Sequence, residues 1–146
     1  MNRNIKEDYI KALTLHRPWG HAIIYGRKRI ENRTWKPPKS IIGKFIFLHS
    51  GKSYDKKAVD FMHKLGFYPP DEKDCPLGII GMIEITGYSR RIENAWFFGP
   101  YGWTIGGVIA FLEPIECPGK QGLWQPDTEI VENIVREYKD NWIYYL

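Results

Sequence analysis

The run Gly26-Arg27-Lys28-Arg29-Ile30-Glu31-Asn32-Arg33 crowds cationic side chains and one carboxylate onto a helix exit that leads straight into a strand. Strand alternation sends Arg29, Glu31 and Arg33 to one face and Ile30 to the other, with Lys28 at the entrance and outside the alternation. A Lys, a Glu and an Arg converging on one spot leave a net positive charge, suited to a phosphate or a polarised carbonyl. The competing structural explanation is a solvated edge strand whose charges discourage aggregation.

The elements that must position these groups follow from apolar spacing and turn residues. Ala12-Leu13-Thr14-Leu15 reads as a strand, and Pro18 is placed to open a short helix that buries Trp19, Ala22, Ile23 and Ile24. Gly26 is expected to take the left-handed conformation that ends it. Pro37 and Pro38 interrupt pairing after the charged strand, and Gly43 to His49 resumes as an apolar, central strand. Ser53 or Asp55 can cap a second helix reaching about Leu65, with Ala58, Val59, Met62 and Leu65 on its apolar stripe. Residues 67–74 read as a mobile surface loop, and Leu77 to Ile85 as a strand bent at its glycines. Gly99-Pro100-Tyr101-Gly102 is a turn, and Trp103 to Leu112 is a further strand, ended by Pro114 and Pro118. Asp127 caps a last helix carrying Ile130, Ile134, Val135 and Tyr138, with Trp142 to Leu146 read as its end. Short helices interleaved with bending strands, without regular βα alternation, predict an α+β fold: a small mixed β-barrel with helices packed around it.

The 146 residues, 43% hydrophobic and 15% aromatic, suffice for one packed core. They divide into an extension, residues 1–10, and a single domain, residues 11–146, that includes the last helix. The net charge of +4 is a mild lean toward anionic partners. Cys75 and Cys117 stand far apart, which argues against a disulfide framework or zinc knuckle and for a reducing, cytoplasmic setting. Met1 to Asp8 lacks an apolar leader region and no segment nears about 18 apolar residues, so neither a signal peptide nor a membrane span is expected. No dinucleotide or phosphate-cradling glycine loop and no metal-ligand spacing occurs, so no cofactor and no metal are expected.

Leu13-Thr14-Leu15, Pro18-Trp19, Gly26-x-Lys28-x-x-Glu31-x-Arg33 and Trp35 occur in an order that resembles the ASCH domain family. The likeness continues through Leu48-His49-Ser50, Pro76-Leu77-Gly78, Gly99 to Trp103 and Gly119 to Trp124. It implies a PUA-like β-barrel whose cleft holds Lys28, Glu31 and Arg33, and a role in binding RNA. Activity varies in the family: one relative is an amidohydrolase of acetylated cytidine, with Thr in the position of Glu31, and others are described as cleaving single-stranded RNA.

Binding single-stranded RNA or a nucleotide-like ligand requires a cationic groove and exposed rings on which bases stack. Trp19, Trp35, Trp103 and Trp124 are candidate rings, Trp35 being the better exposed and Trp19 and Trp103 better suited to the core. Lys36, Lys39, Lys44, Lys52, Arg90 and Arg91 are candidate phosphate contacts. Glu31 or Asn32 could read a 2′-hydroxyl or base edge. A hydrolase would use Lys28 or Glu31 as catalytic base and Arg33 to stabilise negative charge. His49 or His16 could move protons near neutral pH, although His49 closing an apolar strand also suits a structural hydrogen bond, and Ser50 is similarly ambiguous. A third class, a protein-interaction module, would use the aromatic surface and the last helix.

Overall fold

The computed structural model describes residues 10–138 and 143–145. In chain order its elements are β1 (Ala12–Arg17), α1 (Trp19–Tyr25), β2 (Ile30–Arg33), a 3₁₀ turn (Lys39–Ile41), β3 (Lys44–Tyr54), α2 (Lys56–Lys64), β4 (Gly78–Ser89), β5 (Tyr101–Ile115), β6 (Leu123–Trp124), α3 (Thr128–Tyr138) and β7 (Ile143–Tyr145). The fold class is therefore α+β, with one mixed sheet and three α-helices among the described residues. The sheet runs β2-β5-β4-β3-β1-β6, and β7 pairs with β5 beyond the end of β2. Its ladder is an open path with β2 and β6 at the ends; no pairing between them closes a barrel.

Alternation along β3 explains the layering. Ile46 and Leu48 face the cluster that includes Ile23 and Ile24 of α1, while Phe45 and Phe47 face Val131 and Ile134 of α3. Each helix thus covers one face of the sheet, and the third cluster joins α1 to α2 through Ala22, Ala58 and Met62. Fully burying a side chain such as Leu48 or Ile46 contributes about 1.5–3 kcal/mol, so this two-sided core fixes where both sheet ends lie. Ile10, in the segment read as an extension, is itself part of the core.

Several expectations shift. Gly26 has φ −107, and the left-handed residue is Arg27 at φ 58. Gly26 is required instead by crowding, since a Cβ there would lie 2.8 Å from both Ala22 O and the Phe67 ring. Pro18 caps α1 rather than opening its first turn. Leu65 is exposed and lies just beyond α2, whose cap is the Asp55 side chain accepting from Ala58 N–H. Pro114 lies inside β5, near its end, where it does not stop the strand from reaching Ile115. The chain end read as helix is strand β7, held to Val108, Ile109 and Ala110 of β5; residues 139–142 and 146 lie outside the described residues. The loop at 67–74 is anchored: buried Arg17 donates to the carbonyls of Glu72 and Cys75 at 2.8 Å, and to those of Gly51 and Lys52 on β3. No described helix is long and apolar enough to cross a membrane.

Candidate functional site

An open cleft of about 1370 Å³ lies where the sheet fails to close. A side chain bridges the open side there: Arg33 of the end strand β2 donates from Nη2 to the Thr14 carbonyl of β1, the strand next to β6, at 3.1 Å. Arg33 Nε also donates to Glu31 Oε2 at 2.9 Å, and Lys28 Nζ lies 3.2 Å from Glu31 Oε1. Each carboxylate oxygen thus serves one cation, leaving the trio with a net single positive charge.

Lys28 precedes β2, and its side chain turns inward. It is 1% exposed, forming part of the cleft floor, with Nζ also donating to the Ile30 carbonyl and lying 5.6 Å from the Trp19 ring centroid. The cause is local: the left-handed turn at Arg27 lets Lys28 N–H bond back to Ala22 O, and the side chain then runs inward. Burial pulls its ammonium below the ordinary lysine range; Glu31 opposes the shift and Arg33 adds to it. Arg29 does not join Glu31 and Arg33, because β2 begins only at Ile30. Its guanidinium turns back to the Ile23 carbonyl of α1 at 2.7 Å. The trio is consequently neither the alternating triplet nor the solvated edge that the spacing alone suggests.

The aromatic candidates separate by depth. Trp35 and Trp19 are half-buried and line the cleft; Trp19 Nε1 donates to Asp55 Oδ2 at 3.0 Å, which fixes its ring. Trp103 is fully buried and does not reach the cleft. It supports Trp35 edge-on, at 4.8 Å between ring centroids, and donates to the Trp35 carbonyl. Trp124 is also buried, for a different purpose. Its Nε1–H donates to Thr14 Oγ1 at 2.9 Å, whose hydroxyl lies 3.3 Å from His49 Nδ1. His49 Nε2 is 2.8 Å from the Cys117 carbonyl, which can only accept, so Nε2 carries the proton and Nδ1 accepts from Thr14. His49 on β3 thus bridges the Cys117 carbonyl of the 116–122 loop and Thr14 of β1. Gly119 packs against its ring. Ser50 also lines the cleft, and its buried Oγ has no hydrogen-bond partner among the described residues. His16 is exposed at the cleft wall.

One contributor was not legible as such. Phe98 lines the cleft with 58% of its surface exposed. Asn32 of β2 puts it there by accepting from the backbone N–H groups of Phe98 and Gly99 and donating to Trp96 O, which clamps the 96–99 loop to the strand. The aromatic run Trp96-Phe97-Phe98 before Gly99-Pro100 was the available signal. Among the described residues no group of three or more His, Cys, Asp and Glu is arranged to hold a metal.

The ASCH domain family model matches residues 13–146, nearly the whole chain, including the entire cleft. The chain belongs to the ASCH domain family. No curated protein matches it. Membership is consistent with a nucleic-acid-binding or related role, and in this ASCH domain the matched region brings Lys28, Glu31, Arg33, Trp19, Trp35, His49 and Ser50 to one cleft.

Proposed function

We propose that this ASCH domain binds single-stranded RNA, or a nucleotide-like ligand, in the cleft at the sheet seam. The observation that carries the reading is the Lys28–Glu31–Arg33 chain, net positive and partly desolvated, beside a ring as exposed as Phe98. Arg33, whose side chain keeps 20% of its surface, offers the charge to a phosphate. Phe98 and Trp35 offer faces to bases, and the unpartnered Ser50 hydroxyl offers a polar contact deeper in. The same reading takes the open sheet as a PUA-like barrel with its seam at the ligand site.

Phe98→Ala tests this: the ring is mostly exposed but meets Trp19 and Phe61 edge-on, so a thermal melt must accompany the binding measurement. Losing one stacked base costs about 1–3 kcal/mol, so binding of labelled single-stranded RNA, read by anisotropy, should weaken about fivefold or more in a variant that still melts cooperatively. Unchanged affinity would count against the cleft.

A second reading has one observation in its favour: Lys28 is buried in the cleft with its proton loosened. A neutral Lys28 could take a proton from water or a 2′-hydroxyl while Arg33 stabilises the developing charge, making the domain a metal-independent hydrolase. Cleavage of the same RNA on a denaturing gel, lost in folded Lys28→Met, would favour it; intact RNA would dismiss ribonuclease action.

A further inference from the structure

Outside the cleft, the same sheet face carries a second group of aromatic and cationic side chains. The register sets Glu31 opposite Trp103 and Trp103 opposite Tyr88, while Arg33 stands opposite Tyr101. Directly opposed residues share a face. Tyr101 is therefore one strand spacing from Arg33, and Tyr88 two from Glu31, about 5 and 10 Å. The Tyr88 and Tyr101 rings lie 6.1 Å apart, and Tyr88 is 40% exposed. Lys36 Nζ sits 5.7 Å from the Tyr88 ring centroid, and the Arg90 guanidinium 4.9 Å from that of Tyr101, with Nη2 2.5 Å from its hydroxyl. Both cations are exposed, and neither has a carboxylate partner among the described residues. Lys36 directly follows Trp35, so the group begins at the cleft wall.

We propose that Tyr88, Tyr101, Lys36 and Arg90 form a track that holds single-stranded RNA as it leaves the cleft. The inference rests on the cleft-binding reading and extends the ligand from a nucleotide to a strand. Cations held over rings are already ordered, so little freedom is lost when they meet a phosphate. The Arg90 plane and the Tyr88 ring also offer surfaces to a base without demanding its identity. A protein partner would gain little from two unpaired cations over rings unless it brought its own acidic groups. A polyanion brings a charge at every step.

The test is binding of a labelled mixed-sequence RNA 12-mer to the full chain across a salt series, for wild type, Lys36→Gln/Arg90→Gln, Tyr88→Ser and Phe98→Ala. Removing both cations should lower the slope of log affinity against log salt by about 1.4, at about 0.7 per phosphate contact on a single strand. Tyr88→Ser should weaken binding about fivefold or more. Thermal melts establish that each variant is folded, as expected for exposed positions. If Phe98→Ala weakens binding while the track variants match wild type in affinity and slope, the track is overturned and the cleft stands. If the track variants weaken it and Phe98→Ala does not, the track stands without the cleft. No binding of the 12-mer by wild type overturns both.

Discussion

Glu31→Gln isolates the electrostatics of the cleft floor, because glutamine keeps the shape and one accepting oxygen while removing the charge shared by Lys28 and Arg33. Arg33 can fall back on solvent and the Thr14 carbonyl, whereas Lys28, 1% exposed, keeps the Ile30 carbonyl but has no access to solvent. Breaking a buried pair from one side costs about 3–5 kcal/mol. Lys28 has one escape, the loss of its proton. Starting from the ordinary value of 10.5, that costs about 5 kcal/mol at neutral pH, at about 1.4 kcal/mol per unit, which caps the damage. The retained Gln oxygen places the expected loss near the lower figure, about 3 kcal/mol.

The sign of the pH dependence follows from burial. Folded Lys28 binds its proton less tightly than the unfolded chain, so the unfolded state holds more protons below 10.5 and stability rises with pH toward that value. Losing Glu31 removes the interactions that raise the Lys28 value, so the rise starts at lower pH in the variant and is larger. The deficit of Glu31→Gln should therefore be greatest near neutrality and narrow toward about pH 10. Lys28→Met/Glu31→Gln should recover part of it, since no buried charge is left to desolvate. Urea titration followed by tryptophan fluorescence measures all three. A deficit under about 1 kcal/mol, or one that does not vary with pH, would refute the account of Lys28 as a buried cation dependent on Glu31.

Two further perturbations probe the surroundings of the site. Gly119→Ala puts a Cβ 2.4 Å from His49 Cε1 and 2.9 Å from Thr14 Oγ1, against a ring held at both nitrogens. Denaturation should report a loss of about 1–3 kcal/mol, and a neutral outcome would mean that the 116–122 loop is not fixed to His49. His21, buried beside Arg17, has its pKa pushed down to about 4 from 6.5, by desolvation first and Arg17 second. Between those values the unfolded chain takes up a proton that the folded state refuses, so stability falls as the pH drops. The contribution is about 3 kcal/mol. His21→Gln should flatten that segment of the stability–pH curve, and an unaltered slope would contradict the assignment.

The motif residues were legible because several cations and one carboxylate crowd into residues 26–33, and their order along the sequence carries the family. Their depth was not legible. Strand alternation cannot foresee that β2 begins at Ile30, so Arg29 was grouped with Glu31 and Arg33 although it closes the end of α1. The left-handed turn at Arg27, which sends Lys28 inward, falls on a residue type that rarely adopts it, next to a glycine that adopts it readily. The central place of β3 could be read from its unbroken apolar run, and the α2 cap from Asp55. By contrast, β6 has only two residues and β7 three, too short to carry a periodic signal. Phe98 escaped notice because its position depends on Asn32, 66 residues earlier, and long-range side-chain clamps leave no local pattern.

The central claim, that ligand meets the protein at the sheet seam, is tested most directly by photo-crosslinking. RNA carrying 4-thiouridine is bound to the wild-type chain, irradiated, and the attached peptides are identified by mass spectrometry. Adducts on Phe98, Trp35 or Trp19, competed away by unlabelled RNA, are the expected result. Adducts confined to the opposite, α3-covered side of the sheet, with none on those rings, would contradict it.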